Sequence, residues 1–209
     1  MLVDDHAVVR AGFRRFLEQE PGYRVVAEAS GGEEAYDLLK ADTPDIVILD
    51  LSMPGSGGLS TLHRLRLRWP LLAVLVCSMH DNLAFAVQAL RAGANGYVTK
   101  SSEAAVIVSA VRCVIAGGTA LSPDVAKKME RAHSVDEQPT LGLTLREFEV
   151  FRLIASGRSH EEIAALLNLS AKTVANNHSL IRQKLGISSD IELFRLAAAC
   201  GAVEGTQGL

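Results

Sequence analysis

The chain has 209 residues, which is enough for two domains of ordinary size. Hydrophobic residues make up 48% of the composition and charged residues 22%, so each half can bury a core. A net charge of −3 gives no sign of a nucleic-acid partner, so such a partner can be argued only from local charge. No apolar run approaches the about 20 residues of a membrane span, and two acids stand near the start where a signal peptide carries basic residues, so we expect a cytoplasmic protein without membrane contact.

The first 118 residues alternate short apolar runs with segments of helical period, which predicts a five-stranded parallel sheet with helices on both faces. The third run, IVILD, is apolar at four positions and then acidic, as in a buried strand that ends at a site. Only Met1, Leu2 and Val3 precede Asp4, so we expect a shortened first strand that loses pairing and burial. The predicted strands are residues 2–4, 23–29, 46–50, 73–78 and 96–99.

Helix boundaries are readable in both halves of the chain. In the first half, Asp81 and Ser102 are the predicted N-caps of two helices. The segment 119–140 loses the pattern and is the predicted linker between domains 1–118 and 141–209. The second half is predicted to hold four helices and no strand, because helix starts follow one another without an apolar β pattern. These starts are the capping boxes Thr144 with Glu147 and Ser159 with Glu162, then Ser170, then roughly residue 190 after Gly186.

Polar side chains stand at successive strand ends of the first half. The carboxyl ends of parallel strands meet at one edge, near the switch in strand order, so these side chains should converge. Crowded carboxylates suit Mg²⁺, and the metal with a lysine would neutralise an incoming phosphoryl group that Asp50 accepts as nucleophile. Each feature alone has an ordinary explanation, and only the ordered set favours phosphoryl transfer. The set comprises Asp4 and Asp5, Asp50, Ser78 and Lys100.

The segments VDDH, IVILDLSMPGSGG, VLVCSMHD and AGANGYVTKSS resemble the receiver domain of response regulators over nearly all of residues 1–118. The resemblance implies a flavodoxin-like α/β fold in which Asp50 is phosphorylated. It further implies that Asp5, Asp50 and the Ser52 carbonyl hold Mg²⁺ with the help of Asp4, and that Ser78, Lys100 and Tyr97 are the phosphate-binding and switch residues. Without the resemblance, Tyr97 would be interpreted as a half-buried strand aromatic.

Residues 141–201 resemble, without a gap, the LuxR-type helix-turn-helix of the NarL/FixJ subfamily. The resemblance implies a helix-turn-helix at residues 159–178, with Asn168 in the turn and Ser170 capping the recognition helix. Asn177 and Ser179 stand where the family usually carries other side chains, so we expect ordinary backbone docking with modest base readout. His178 is expected to be a packing histidine rather than a metal ligand.

The residue pattern of the recognition helix supports this placement independently. Val174, Ile181 and Leu185 recur at helical spacing and should face the core. No acid lies between Ile163 and Ser189, a stretch that contains three of the seven basic residues of 141–209, so positive charge is confined to the presumed DNA face. From charge alone, a merely solvated helical face remains open. The predicted DNA contacts are Lys172, Thr173, Ala175, Asn176, Asn177, Ser179 and Arg182.

These features predict a DNA-binding response regulator of a two-component system. A sensor histidine kinase would donate the phosphoryl group, and a homodimer would bind paired half-sites on double-stranded DNA. The resemblance implies a phosphoacceptor rather than an enzyme, with slow self-dephosphorylation only. Two alternatives stay open at this point: a phosphorylation-independent DNA-binding regulator that uses the receiver as an interaction module, and a hydrolase that uses the acidic cluster.

Overall fold

A computed structural model describes residues 1–53, 57–131 and 142–203. The chain divides into two compact units, of which the first contains Met1–Asp81 and Ala89–Ala126 and the second contains Asn82–Gln88 and the residues from 127 onward. None of the described helices combines the length and the apolar character that crossing a membrane requires.

A parallel sheet with the strand order β2-β1-β3-β4-β5-β6 forms the centre of the first unit. The chain runs from β1 outward to β2 and then returns to place β3 on the other side of β1, so the strand order reverses between β1 and β3. The strands are β1 (Leu2–Val3), β2 (Glu28–Ala29), β3 (Ile46–Leu49), β4 (Ala73–Ser78), β5 (Gly96–Thr99) and β6 (Ala120–Leu121). Their carboxyl ends at the reversal form the edge where ligands of such folds bind.

Helices alternate with these strands, as the sequence pattern predicts. They are α1 (Ala7–Leu17), α2 (Gly32–Ala41), α3 (Gly57–Arg68), α4 (Leu83–Arg91), α5 (Ala104–Ile115) and α6 (Pro123–Arg131). One apolar core joins strand side chains such as Ile48 and Leu75 to Phe13 of α1 and Val111 of α5. The α/β class of this half is therefore confirmed.

The first strand is short, as predicted, but it keeps its pairing and its burial. Leu2 is paired with both Glu28 and Ile48, and Val3 is only 1% exposed. The second strand is shorter than its apolar run suggested, because only Glu28–Ala29 are paired. The order of the strands is thus set by a few central hydrogen bonds and by side chains that are buried on both faces.

The prediction of five strands is wrong by one, because β6 adds a sixth strand beside β5. Gly96 is paired with Ala120 and Tyr97 with Leu121. Strand β6 and helix α6 occupy the first part of the segment that the sequence predicts as a linker, and the rest of that segment, 132–140, lies outside the described residues.

Two predicted N-caps of the first half are displaced by one residue. The N-cap of α5 is Glu103 instead of Ser102. At the start of α4, the side-chain oxygen of Asn82 accepts the amide of Phe85, so Asn82 provides the cap predicted for Asp81.

The described part of the second unit after residue 142 is helical and contains no strand. Its helices are α7 (Leu145–Ala155), α8 (His160–Leu167), α9 (Ala171–Leu185) and α10 (Asp190–Ala199). Both predicted capping boxes are present, and the hydroxyl of Ser170 accepts the amide of Thr173 to start α9. Asn168 ends α8 in the left-handed conformation with φ 53°, which makes the tight turn between α8 and α9.

Candidate functional site

The acidic pocket lies where β1 and β3 end side by side. The amide of Asp50 donates to the carbonyl of Val3 over 2.8 Å, and the amide of Asp4 donates to the carbonyl of Ala29 over 3.0 Å. These ladder bonds place both aspartates at the point where the strand order reverses. Asp50 is 1% exposed and Asp4 is 5% exposed, so the two carboxylates are held out of bulk water.

Lys100 joins these two carboxylates from the end of β5. Its Nζ lies 2.6 Å from Oδ2 of Asp4 and 2.7 Å from Oδ2 of Asp50. Its backbone amide donates to the carbonyl of Ser78 over 2.8 Å, which fixes the start of the side chain. Burial alone would lower the pKa of Lys100, but its hydrogen bonds to Asp4 and Asp50 raise the pKa above the ordinary value. Lys100 is therefore an ammonium at neutral pH.

The residues of the pocket fit the Mg²⁺ ion that the resemblance implies. Ligand atoms of Asp4, Asp5, His6 and Asp50 all lie within 4.8 Å of one another. One oxygen of Asp5, Oδ1, is buried and has no hydrogen-bond partner among the described residues. Three carboxylates and the single ammonium of Lys100 leave a formal charge of −2, and oxygen donors of this kind are what Mg²⁺ takes from proteins.

Asp50 is oriented by one partner on each oxygen. The amide of Ser52 donates to Oδ1 over 3.0 Å, while Lys100 donates to Oδ2. Ser52 thus lies at the pocket as predicted from the sequence, directly after the strand that carries Asp50. The carboxylate is held in one orientation while the edge of the pocket near Asp5 is partly open, since the side chain of Asp5 is 27% exposed.

Ser78 and Tyr97 are linked through the loop that follows β4. The hydroxyl of Tyr97 donates to the carbonyl of His80 over 2.7 Å, and the amide of His80 donates to Oγ of Ser78 over 3.1 Å. Tyr97 is fully buried, rather than half-buried as its position in a strand would suggest. Burial raises the pKa of Tyr97 well above its ordinary value, and a hydrogen bond with Ser78 lowers it by less, so the phenol stays protonated.

Two residues near the pocket were not predicted. Arg10 lies one turn after His6 on α1, and its Nη1 donates to the carbonyl of Asp4 over 2.5 Å while its Nε donates to Glu28. His6 extends the predicted carboxylate set with a ring nitrogen. The spacing of VDDHAVVR, with an imidazole and a guanidinium within one turn of the acidic pair, is the sequence signal that could have identified both.

The recognition helix α9 presents only some of the predicted contacts to solvent. Val174 and Ile181 are fully buried, as predicted, and Leu185 is half-buried. Among the predicted DNA contacts, Lys172, Asn176 and Ser179 are exposed, while Thr173, Ala175, Asn177 and Arg182 are half-buried.

Three of the half-buried side chains already have partners within the domain, and one of them is Thr173, whose hydroxyl lies 2.8 Å from that of Ser170. Nδ2 of Asn177 donates to the carbonyl of Thr173 over 2.8 Å, and the guanidinium of Arg182 donates to the carbonyl of Ser188. One donor nitrogen of each of these two side chains is therefore engaged, whereas Lys172 and Asn176 present their side chains to solvent.

Lys184 belongs to the internal structure of the domain rather than to the free positive charge of α9. Its Nζ lies 2.7 Å from Oε2 of Glu147, and the same carboxylate oxygen accepts the amide of Thr144. Burial alone would raise the pKa of Glu147, but Lys184 and the bonds from Thr144 lower it below the ordinary value. The predicted confinement of positive charge to the DNA face therefore does not extend to Lys184.

His178 packs between helices, as predicted. Its Nδ1 lies 3.1 Å from Nε2 of His160 at the start of α8, and its Nε2 lies 2.9 Å from Oδ1 of Asp190 at the start of α10. The contact with Asp190 is short enough for an ion pair, but its angle is not that of a hydrogen bond, since Nε2 has no hydrogen-bond partner among the described residues. The side chain of His178 is 11% exposed, so its place is structural.

Comparison with known families matches both halves of the chain. Residues 1–112 match the response regulator receiver domain. Residues 141–197 match the bacterial regulatory proteins of the luxR family. The first match contains the acidic pocket with Lys100, and the second contains the helix-turn-helix and most of α10.

Similar proteins of known description extend over nearly the whole chain. The transcriptional activator protein ExaE of Pseudomonas putida is 40% identical over 205 residues, which cover 96% of each chain. The response regulator UvrY of Escherichia coli K12 is 36% identical over 96% of this chain and 94% of its own. Among solved structures, RcsB from Salmonella enterica serovar Typhimurium, bound to promoter rprA in the presence of phosphomimetic BeF₃⁻, is 28% identical with a TM-score of 0.77 and covers 94% of this chain and 96% of its own.

Proposed function

The chain belongs to the NarL/FixJ subfamily of two-component response regulators, and from that premise we propose that a sensor histidine kinase transfers a phosphoryl group to Asp50 and thereby controls DNA binding by α9. The observation that carries the proposal is the buried carboxylate of Asp50, held between the ammonium of Lys100 and the carboxylates of Asp4 and Asp5. The chain is a DNA-binding regulator of transcription by family, and Asp50 is the residue through which we expect it to be controlled.

The pocket supports acceptance of a phosphoryl group at one oxygen of Asp50. An Asp50 oxygen attacks phosphorus, and the bond from phosphorus to the donor breaks as the donor leaves with its electron pair. Lys100 is already 2.7 Å from Asp50, so its ammonium can move onto the oxygens of the incoming group without reorganisation of solvent. Asp4, Asp5, Asp50 and the carbonyl of Ser52 would hold Mg²⁺, which when bound supplies further positive charge beside those oxygens.

Ser78 and Tyr97 connect the acceptor to the rest of the domain. A phosphoryl group on Asp50 offers acceptor oxygens to the hydroxyl of Ser78, which now accepts the amide of His80. Engagement of Ser78 would change the loop that also binds the hydroxyl of Tyr97. We therefore assign Ser78, Tyr97 and Lys100 as the residues that sense the phosphoryl group. Beyond acceptance of the phosphoryl group, the site has to support only its slow loss, in which water attacks phosphorus and Asp50 leaves as a carboxylate.

Helix α9 supports DNA binding through a small set of outward side chains. Lys172 and the free amides at the start of α9 suit phosphates, and Asn176 can form paired hydrogen bonds with adenine in the major groove. Thr173, Ala175 and Ser179 flank these two. Asn177 and Arg182, whose donors have partners in the domain, should contribute less. One domain with so few contacts would bind DNA weakly, which favours a homodimer that binds paired half-sites. We place this protein and its DNA in the cytoplasm.

The experiment that tests this function treats the full chain with acetyl phosphate in the presence or absence of Mg²⁺. The wild type should gain one phosphoryl group only with Mg²⁺, and Asp50→Asn should gain none. Asp45→Asn, an exposed aspartate at the opposite end of β3, is the matched control and should be labelled like the wild type.

DNA occupancy across the genome, compared between wild type and Asp50→Asn, then tests the control of binding. Reduced or shifted occupancy in the variant supports the proposal. Identical occupancy in both, together with normal labelling of Asp50, would replace it with a regulator that binds DNA independently of phosphorylation.

A further inference from the structure

Two histidines meet where the two helices of the helix-turn-helix pack together. Nε2 of His160, the first residue of α8, lies 3.1 Å from Nδ1 of His178 near the middle of α9. The rings stand edge to face, with 84° between their planes and 5.3 Å between their centres. Their contact therefore helps to fix the position of the recognition helix relative to α8.

The hydrogen bond between these rings limits the number of protons that the pair can carry. A neutral imidazole has one N–H donor and one acceptor nitrogen, whereas a protonated imidazole has two donors and no acceptor. One added proton leaves a cation that donates to a neutral ring, so the contact survives. A second added proton would place two N–H groups and two positive charges against each other over 3.1 Å. The packed arrangement thus accepts one added proton and excludes two.

Acidic groups beside the pair favour the first proton. Oδ1 of Asp190, at the start of α10, lies 2.9 Å from Nε2 of His178, and this nitrogen is buried with no hydrogen-bond partner among the described residues. Glu161 follows His160 on α8, and both acids line an open cavity of about 410 Å³ together with the pair. The two carboxylates attract one positive charge to the rings.

Basic groups near the pair oppose the second proton. Arg158 lines the same cavity from the loop before α8 and lies 3.3 Å from Glu162. Arg182 follows His178 by one turn of α9, and its guanidinium donates to the carbonyl of Ser188. Helix α7 contributes only apolar side chains to the lining of the cavity. The side chain of His178 is 11% exposed, so little water reaches the rings to screen two positive charges while the helices stay packed.

We propose that the pair of His160 and His178 is a pH-sensitive switch, in which a second proton separates α8 from α9 and weakens DNA binding. The proposal rests on the proposed binding of DNA by α9, which the pair controls independently of Asp50. The packed domain accepts one added proton, whereas the domain with separated helices accepts two. Affinity for DNA should therefore fall on acidification, by up to about tenfold per pH unit. Acidification ordinarily has the opposite effect, because a more positive protein attracts DNA phosphates more strongly.

The test measures the DNA affinity of the full chain at about pH 7.5 and about pH 5.5, on either side of the ordinary titration of histidine. The probe is a fluorescent duplex that in vitro selection with the wild type identifies at the higher pH. The wild type should bind this duplex more weakly at the lower pH. Amide hydrogen exchange at the lower pH should show less protection of α8 and α9 in the wild type than in variants without the pair.

Two variants remove the second proton from different helices. His160→Gln and His178→Asn place a side-chain amide near the lost ring nitrogen, and an amide can donate or accept but does not titrate. Each should lose less affinity on acidification than the wild type. His63→Gln replaces an exposed histidine of α3 and is the matched control, which should lose affinity as the wild type does. Urea unfolding at the higher pH shows whether each variant folds, and a defect in one leaves the other to give the answer.

The proposal is overturned if wild-type affinity is unchanged or rises at the lower pH. It is also overturned if a folded His160→Gln or His178→Asn loses affinity as steeply as the wild type. A wild type that binds no duplex at the higher pH would overturn the proposed DNA binding and the switch with it. Failure of the switch alone would leave DNA binding at the higher pH intact, so the two failures give different results.

Discussion

Lys100 and Asp50 form an ion pair that is almost fully removed from solvent, with 2.7 Å between Nζ and Oδ2 and side-chain exposures of 7% and 0%. The same ammonium also pairs with Asp4. A buried carboxylate without a cationic partner lowers the free energy of unfolding. The pair therefore stabilises the first domain and at the same time orients the carboxylate of Asp50 in the pocket. The proposed phosphoacceptor Asp50 thus also helps, with Asp4 and Lys100, to hold three strand ends together.

We first predict the effect of Lys100→Met. The substitution leaves the carboxylates of Asp4 and Asp50 buried without their cation, and removal of one partner of a buried pair costs about 3 kcal/mol of unfolding free energy. Urea unfolding, followed by the fluorescence of the single tryptophan, Trp69, measures the change. Lys40→Met, which removes an exposed lysine paired with Asp37, is the control and should change little. Equal stability of Lys100→Met and wild type would contradict the prediction.

The second prediction concerns the pH dependence of the same pair. The pKa of Lys100 is raised in the folded protein above its ordinary value of 10.5. A raised pKa stabilises the fold fully below the ordinary value, and that contribution is lost as the pH rises through the folded pKa. Wild type should therefore lose stability above pH 10.5 relative to Lys100→Met, as measured by urea unfolding at several pH values. Parallel pH curves for the two proteins would be the opposite result.

Much of the pocket could be predicted from the sequence because its residues follow apolar runs directly. Asp50 comes after IVIL, and in a parallel sheet the carboxyl ends of strands share an edge. The capping boxes could be predicted for a similar reason, since Thr144 with Glu147 and Ser159 with Glu162 satisfy each other's backbone groups within one turn. Both signals are local.

The features that could not be predicted from the sequence depend on two kinds of contact. Some join residues that are distant in the chain, and others are hydrogen bonds chosen among several nearby partners. Strand β6 has only two residues and exists because the amides of Ala120 and Ser122 find the carbonyls of Asn95 and Tyr97. The predicted cap Ser102 instead shares a hydrogen bond with the hydroxyl of Thr99. Nothing in the residue pattern ranks these partners above the alternatives. The segment VDDH did contain a signal for His6, but an imidazole beside two acids is equally typical of an exposed helix start, so the pattern alone did not single it out.

The third prediction concerns Glu147 and Lys184 in the second domain. The pKa of Glu147 is lowered in the folded protein, so its contribution is present above the ordinary value of 4.5 and is lost as the pH falls through the folded pKa. Glu147→Gln should remove the charge and about 1 kcal/mol of stability at neutral pH, because the cap of α7 and the bond to Lys184 both weaken. Amide hydrogen exchange of α7 measures the change at pH 7 and at acidic pH.

A matched control for this prediction is Glu162→Gln, which alters the capping box of α8 at an exposed carboxylate whose ion-pair partner is the exposed Arg158 instead of a lysine such as Lys184. Its effect on exchange should be smaller and confined to α8. A larger effect at Glu162 than at Glu147 would show that the cap, and not the ion pair with Lys184, carries the stability.

The last prediction separates backbone contacts from base readout on α9. Lys172→Ala removes an exposed lysine that we propose contacts a DNA phosphate. Binding should therefore weaken by a similar factor on every DNA sequence, and the slope of affinity against salt concentration should fall by about 1. Asn176→Ala should instead cost about 1 to 3 kcal/mol on the preferred site and little on other sequences. Arg182→Ala should have the smallest effect on the affinity for DNA, because its guanidinium already donates to Ser188.

Fluorescence anisotropy with specific and unrelated duplexes at several salt concentrations measures all three variants, with Lys40→Ala in the first domain as the control. An unchanged salt slope in Lys172→Ala, or equal losses of Asn176→Ala on both duplexes, would assign DNA recognition to a different face of the domain.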